Sequence, residues 1–316
     1  MIDLYPFAGF PVFVLGLGAH GCKAAEALRL SGAEVMGWDD DPANRRAAAA
    51  NDVVLQDGAE FDWREPVSLI VEAGIAHGDT DPHPMVAAAR EAGCEVISDA
   101  ELLARAERDS RYVGLVSEAQ ESAALDLLAH ALKVSGRECE IGGDQDRPLL
   151  GLHPLGNGGI YGLAMPPVRL DITLSITFDV AVLLDIGAAA KSVLGADAAG
   201  AARLVFHRQT GGNGAIVNVD DRETRQIAEA LQAAKEQVVI PVSGRARVPG
   251  GVYVAGGVLY DDIAGNADAI VGLDLPAGKD GEDAGRLAAA VYASLLVLDV
   301  PAHAAMASIR GYFASE

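Results

Sequence analysis

The sequence is poor in cysteine and in basic residues. Its three cysteines, Cys22, Cys94 and Cys139, are scattered and form no CxxC pair, which argues against disulfides and against a cysteine-based metal site. Only 24 lysine and arginine residues stand against 45 aspartate and glutamate residues, so the formal net charge is −21. Because binding to nucleic acid or to an anionic membrane needs clustered basic residues, we expect neither as a partner.

Long apolar runs are also lacking. No uninterrupted stretch of about 18 apolar residues is present to cross a membrane. The amino terminus, "MIDLYPFAGFPVFVLGLG", has no basic segment ahead of its apolar run, so we interpret that run as a strand rather than as a signal peptide. The sequence therefore predicts a cytoplasmic protein.

What the sequence does contain is an alternation of short strands and helices. The segments "PVFVLGLG", "AEVMGWDD" and "SLIVEAGI" are typical of buried strands, and "CKAAEALRLSG" and "HPMVAAAREAG" of helices. This alternation predicts an α/β fold with parallel, doubly wound sheets. The length of 316 residues allows two domains, which we place at 1–111, Rossmann-like, and 112–316. Within "GGVYVAGGVLYDD", the Ala255-Gly256-Gly257 turn predicts a hairpin.

A glycine loop follows the first strand. Gly16-Leu17-Gly18-Ala19-His20-Gly21 has the GxGxxG spacing and opens a helix, whose amino terminus attracts a phosphate group. Asp39 ends the next strand, where an acid can bind a ribose hydroxyl. The pattern fits a nucleotide site, for which NAD is the usual ligand, and it also fits a tight turn without a ligand.

The order of these segments is similar to that of one family. The segments that carry the likeness are "FVLGLGAHG", "GAEVMGWDDDP", "EAGIAHGDTDPHP", "GGIYGLAM", "DVAVLLDI" and "VPGGVYVAGGVLYDD". They resemble the Mur ligase family, in particular the D-glutamate-adding UDP-N-acetylmuramoyl-L-alanine ligases of peptidoglycan synthesis, over nearly the whole chain. The resemblance implies a uridine nucleotide in the glycine-loop domain, and ATP and magnesium in a central domain. The family's third domain would follow "IRGYFASE" and is expected to be absent.

The resemblance also implies where a UDP-sugar would bind. Two positions depart from the family: Glu72 stands where the family has the serine of "SPGI", and Asp144 replaces the asparagine of a GGN motif. The residues implied for the UDP-type ligand are Gly16, Gly18, Ala19, His20, Asp39, Asp40, Glu72, Gly74 and Asp144.

The family's ATP loop departs further. The family pattern GTNGKST falls on residues 117–123, "SEAQESA", so the phosphate-binding lysine becomes Glu121. A carboxylate about 4 Å from a phosphate charge costs on the order of 4 kcal/mol at an effective dielectric near 20. An ordinary polar turn with Glu121 near the helix dipole fits the segment better than a phosphate loop does.

The other family positions of the ATP and magnesium centre change as well. The magnesium-binding glutamate falls on Ala164, the histidine of the DH motif near Ala190, and the carbamylated lysine on Arg203. Arginine has no accessible neutral form to accept carbon dioxide. The family's GxHNxxN becomes residues 278–284, "GKDGEDA". We therefore expect ATP and magnesium binding to be lost, with no catalytic residues and no metal site.

These observations lead to one leading hypothesis and three alternatives. The leading one is a catalytically inactive pseudoenzyme that binds a UDP-N-acetylmuramoyl-type molecule or a protein partner of the peptidoglycan pathway. The alternatives are a ligase completed by another chain, an NAD-dependent Rossmann oxidoreductase, and a purely structural interaction protein such as a homodimer.

Overall fold

The protein is a mixed α/β chain with two sheets, as seen in a computed structural model that describes residues 1–58, 61–78, 81–194 and 197–314. The first sheet consists of β1 Pro11–Leu15, β2 Glu34–Trp38, β3 Val54–Leu55, β4 Ser68–Val71 and β5 Glu95–Ile97. Its helices are α1 Ala19–Leu30, α2 Pro42–Ala49, α3 Pro84–Glu91 and α4 Asp99–Ala106.

All five strands of the first sheet are parallel, in the order β3-β2-β1-β4-β5. This is the order of a Rossmann-like sheet, in which the strand order reverses between β1 and β4. The predicted Rossmann-like fold is confirmed. Ligands of such sheets bind at the carboxyl ends of the strands beside this switch point, where the glycine loop lies.

The second sheet has nine strands, in the order β14-β13-β12-β11-β10-β9-β6-β8-β7. The strands are β6 Arg111–Val116, β7 Cys139–Gly142, β8 Ile160–Ala164, β9 Val180–Leu183, β10 Gly214–Asn218, β11 Val238–Ser243, β12 Val252–Ala255, β13 Val258–Asp261 and β14 Asp268–Gly272. The helices are α5 Glu121–Val134, α6 Pro167–Leu170, α7 Ala188–Leu194, α8 Ala198–Arg203, α9 Arg222–Ala234, α10 Lys279–Val297 and α11 Ala302–Phe313.

The seven strands β12-β11-β10-β9-β6-β8-β7 run parallel, and β13 and β14 extend the sheet beyond β12 as antiparallel strands. The β12–β13 hairpin turns at Gly256 and Gly257, which both have positive φ, as the sequence predicted. The residue pattern of β6 and β9 explains their central place, because both are almost fully buried runs of apolar residues. In this sheet β6 lies between β8 and β9, and the loop after β6 leads into α5.

The division at residues 111 and 112 stays a prediction. The last strand of the first sheet ends at Ile97 and the first strand of the second begins at Arg111. Among the described residues, no helix is both long and apolar enough to cross a membrane.

Candidate functional site

The glycine loop lies between β1 and α1 and contacts a glutamate from the neighbouring strand. Gly16 has φ +90°, a conformation that favours glycine, and Gly18 precedes the first turn of α1. The carboxylate of Glu72 accepts hydrogen bonds from the backbone N–H groups of Gly18 (2.9 Å), His20 (3.1 Å) and Gly21 (3.3 Å). The amino terminus of α1 therefore already holds an anionic group, supplied by the chain itself.

The acids after β2 lie beside this loop. Asp39 Oδ2 accepts from the backbone N–H of Leu17 at 2.7 Å and from Asn44 Nδ2 at 3.0 Å. Asp40 lies at the exposed rim, where its carboxylate contacts His83 at 3.2 Å. Asp39 therefore fixes the conformation of the glycine loop.

A buried network joins the glycine loop to the second sheet. The imidazole of His20 contacts Asp99 Oδ2 through Nδ1 at 3.0 Å and the carbonyl of Asp144 through Nε2 at 2.8 Å. Burial lowers the pKa of His20, but the hydrogen bond and the charge of Asp99 outweigh it, so that the pKa ends above its usual value. His20 thus acts as a bridge between the two sheets rather than as a free donor at the loop.

Arg169 is the buried cation of the same network. Its side chain is 2% exposed. The guanidinium donates to Asp99 Oδ1 at 3.0 Å and to the carbonyls of Gly143 and Ala164, both at 2.7 Å. Burial raises the pKa of Asp99, but Arg169 and His20 outweigh that effect and hold the pKa below its usual range. The buried carboxylate is therefore ionised and paired.

The loop after β6 is also held by a carboxylate of the chain. Asp185, which follows β9 closely, accepts from the Ser117 hydroxyl at 2.6 Å and from the backbone N–H of Glu118 at 2.9 Å. The pairing of Val116 with Leu183 places these two segments side by side. The backbone N–H and hydroxyl donors at the start of this loop are thus bound to Asp185.

Glu121 is the first residue of α5 and faces a cavity of about 250 Å³. The lining residues are Gly74, Val116, Ser117, Glu118, Glu121, Pro166, Pro167, Val168, Asp185, Gly187, Ala189 and Ala190. Three of these carry carboxylates and none is basic. Burial raises the pKa of Glu121 to about 7; Asp144 and Asp185 act in the same direction, and Arg169 and His20 oppose it.

The structure places most of the residues predicted for the UDP-type ligand around the glycine loop. Gly16, Gly18, Ala19 and His20 belong to the glycine loop and the first turn of α1, and Asp39 and Glu72 accept hydrogen bonds from it. Asp144 contacts His20, Gly74 lines the 250 Å³ cavity, and Asp40 lies apart from these at the exposed rim beside His83.

Among the residues predicted to have replaced the ATP and magnesium ligands, Ala190 lines the 250 Å³ cavity and Ala164 is buried beside Arg169. Arg203, the last residue of α8, is exposed and does not line this cavity. In the described parts of the chain, no group of three or more His, Cys, Asp or Glu residues is placed to hold a metal ion.

The raised pKa of Glu121 leads to a testable prediction. Because the folded-state pKa of about 7 lies above the ordinary 4.5, the folded protein binds this proton more tightly than the unfolded chain. The contribution of this proton to the free energy of unfolding is fully present below about pH 4.5 and is lost as the pH rises through about 7. We expect Glu121→Gln to leave stability nearly unchanged at about pH 5 and to raise it by about 1–2 kcal/mol at about pH 8, allowing for solvent screening.

Urea unfolding of the wild type and Glu121→Gln at both pH values measures this difference. The comparison between the two proteins cancels the titration of all other groups that the substitution does not affect. A difference of the same size at both pH values would contradict the assignment to Glu121.

No protein-family model matches the chain. It is 32% identical over 324 residues to the UDP-N-acetylmuramoylalanine–D-glutamate ligase of Caulobacter sp. strain K31, an alignment that covers 99% of this chain and 68% of that protein. The ligase of the same name from Phenylobacterium zucineum is 33% identical over 302 residues, with coverage of 93% and 64%. The chain belongs to the Mur ligase family. It spans about two thirds of the length of these curated relatives.

Solved structures agree with this membership at the level of the fold. The UDP-N-acetylmuramate:L-alanyl-gamma-D-glutamyl-meso-diaminopimelate ligase from Neisseria meningitides superimposes with a TM-score of 0.61 at 14% identity, covering 97% of this chain and 98% of that one. For the UDP-N-acetylmuramate-alanine ligase from Thermotoga maritima, the TM-score is 0.55 at 12% identity, with coverage of 96% and 68%. The predicted family and the predicted combination of a Rossmann-like and a Mur-ligase central-like region are confirmed.

Sequence reasoning missed three residues that organise the site of this Mur ligase family member. They are Asp99, Arg169 and Asp185. Asp185 had a usable signal, because an acid just after a buried strand lies at the carboxyl edge of the sheet. For Arg169, in the segment "PPVRLD", the sequence offered no signal. Its partners Asp99 and Gly143 are 70 and 26 residues away in sequence.

Proposed function

We propose that this chain is a non-catalytic member of the Mur ligase family, which acts in peptidoglycan synthesis by binding rather than by ATP-dependent ligation. The observation that carries the proposal is the acidic start of α5. Glu121 stands where the family resemblance implies the phosphate-binding lysine, and Glu118 and Asp185 line the same cavity. A triphosphate placed there would meet carboxylates where a nucleotide site needs cations.

The electrostatic cost of this replacement is large. A carboxylate about 4 Å from one phosphate charge disfavours binding by on the order of 4 kcal/mol at an effective dielectric near 20, which is about three decades in affinity. The proton that Glu121 holds near pH 7 removes the repulsion only in part, and a neutral carboxyl group supplies none of the attraction of a lysine. Either form of Glu121 therefore disfavours ATP.

The residues present also do not fit a magnesium ion. Ala164 and Ala190 have no ligand atoms in their side chains, and the carbonyl of Ala164 accepts from the Arg169 guanidinium at 2.7 Å. This buried, permanent cation repels a divalent cation placed next to it. Acyl-phosphate chemistry needs groups that offset the charge of the transferred phosphate, and none of the residues that line the 250 Å³ cavity is a cation.

Two classes of binding partner follow from the family. The first is a UDP-N-acetylmuramoyl-type molecule at the glycine loop, which is disfavoured because the Glu72 carboxylate already binds the N–H groups of that loop. The second is a protein of the peptidoglycan pathway that contacts the outside of the fold, and this is the partner we propose. Both use the scaffold without ATP.

Turnover and binding measured together test the proposal. The purified chain is incubated with Mg-ATP, UDP-N-acetylmuramoyl-L-alanine and D-glutamate, and ADP release is followed beside the Caulobacter sp. strain K31 ligase as a positive control. We expect ADP release from the relative and none above background from this chain.

Calorimetric titration with Mg-ATP alone covers the alternative of a ligase completed by another chain. A site that lacks only a partner's contribution would still bind Mg-ATP measurably, whereas we expect no saturable heat. Either turnover or saturable Mg-ATP binding would overturn the proposal.

A further inference from the structure

Glu72 reaches the glycine loop because of the strand register. In the parallel pairing of β1 with β4, Leu15 lies opposite Val71. The next residues, Gly16 and Glu72, therefore leave the sheet side by side at its carboxyl edge. This edge at the switch point is where a Rossmann-like sheet receives the phosphates of its ligand.

The Glu72 carboxylate uses the donors that a phosphate group would need. The three N–H groups it binds, from Gly18, His20 and Gly21, belong to the end of the loop and the first turn of α1. First-turn N–H groups have no partner within their own helix and favour a negative charge. Three N–H donors on one carboxylate are the hydrogen-bond pattern of a bound anion.

The carboxylate also fills the space that the glycines leave open. A Cβ atom built on Gly18 would lie 2.7 Å from Glu72 Oε1 and 2.9 Å from Oε2, and one on Gly16 would lie 2.6 Å from Glu72 Cβ. The absence of side chains at these glycines normally lets a diphosphate approach the backbone closely. Here the side chain of Glu72 occupies the space that a diphosphate would use.

The neighbouring donors are bound to other acceptors of the chain. The N–H of Leu17 donates to Asp39, and both ring nitrogens of His20 are taken by Asp99 and the Asp144 carbonyl. A diphosphate entering the loop would have to break the hydrogen bonds to Glu72. It would also have to lie beside the carboxylates of Glu72 and Asp39 without a free cation from the loop.

We propose that Glu72 is a built-in occupant of the anion site of the glycine loop, and that it determines ligand specificity by excluding the diphosphate of a UDP-sugar. The site is complete in its backbone donors and closed by a side chain. This inference is independent of the loss of ATP chemistry, since it concerns the other sheet and holds whether or not the chain turns over ATP.

The test is calorimetric titration of the full chain with UDP. Glu72→Ser removes the carboxylate and leaves a side chain too short to reach the three N–H groups. Glu72→Gln keeps the shape and removes the charge, and so covers the case in which the serine variant fails to fold. Glu65→Ser is the matched control, because Glu65 is an exposed glutamate ahead of the same strand.

We expect no saturable heat from the wild type or from Glu65→Ser at UDP concentrations up to about 1 mM. Glu72→Ser should bind UDP at least about tenfold more tightly than the wild type, with Glu72→Gln between them. Inorganic pyrophosphate should compete with UDP in the serine variant.

Two results would overturn the inference. One is UDP binding by the wild type that Glu72→Ser does not strengthen. The other is the absence of UDP binding in both Glu72 variants when their thermal unfolding shows that they are folded. Neither result depends on ATP, so failure here is distinct from failure of the proposed function.

Discussion

Replacing Arg169 with methionine should destabilise the fold by about 3–5 kcal/mol, because it leaves a buried carboxylate without its cation. Asp99 is 4% exposed and is ionised through Arg169 and His20. The same substitution removes the donor to the carbonyls of Gly143 and Ala164. Methionine keeps most of the side-chain volume, so the loss reports the charge and the hydrogen bonds rather than a cavity.

Urea unfolding followed by circular dichroism measures this effect. Arg64→Met is the control, because Arg64 also pairs with an aspartate, Asp62, at 2.7 Å, but its side chain is 78% exposed. We expect that control to leave the unfolding midpoint unchanged. The double variant Arg169→Met with Asp99→Asn should lose less stability than the sum of the two single variants, since no buried charge is then left unpaired. Strict additivity would contradict the role given to this pair.

Replacing Gly21 with alanine should destabilise the protein by about 3 kcal/mol or prevent folding. The new Cβ would lie 1.8 Å from the carbonyl oxygen of Gly16 and 2.8 Å from its carbonyl carbon. Both are backbone atoms, so the clash is relieved only by moving α1 away from the loop. That movement also pulls the N–H groups of α1 away from Glu72.

Thermal and urea unfolding of Gly21→Ala against Gly311→Ala separates this clash from helix propensity. Gly311 lies inside α11, where a Cβ would meet only His130 Nε2 at 3.9 Å. There the alanine should stabilise the helix by about 0.5–1 kcal/mol. Equal effects of the two substitutions would show that the close approach of Gly21 to Gly16 is not a constraint.

Most of the secondary structure that positions the site was predictable because its causes are local. The β-branched run of β1, the glycines that follow it and the apolar spacing of α1 all lie within residues 11–30. The acidic residues around the start of α5 were equally predictable, since Glu118 and Glu121 can be read directly from the sequence. The resemblance to one family added the order of the segments, which the comparisons support.

The contacts within the site were less predictable. Glu72 was assigned to a UDP-ligand site from the family position, and that assignment stays a prediction; the structure shows its carboxylate on the N–H groups of the loop itself. The resemblance places His20 among the residues for the UDP-type ligand, whereas in the structure both of its ring nitrogens contact acceptors of the chain. These partners are 51 to 124 residues away in sequence. Periodicity and turn chemistry carry no information about contacts at that separation.

The sequence by itself thus determined the α/β class, the glycine loop and the acidic residues Glu118 and Glu121 after the strand β6, because each follows from residue type and spacing within a short segment. Only the tertiary structure decided that Glu72 and Asp185 bind the two loops and that Arg169 lies buried between the sheets. The physical reason is that parallel pairing brings the ends of strands distant in sequence together, and that a buried charge is stable only where its partners from other segments converge.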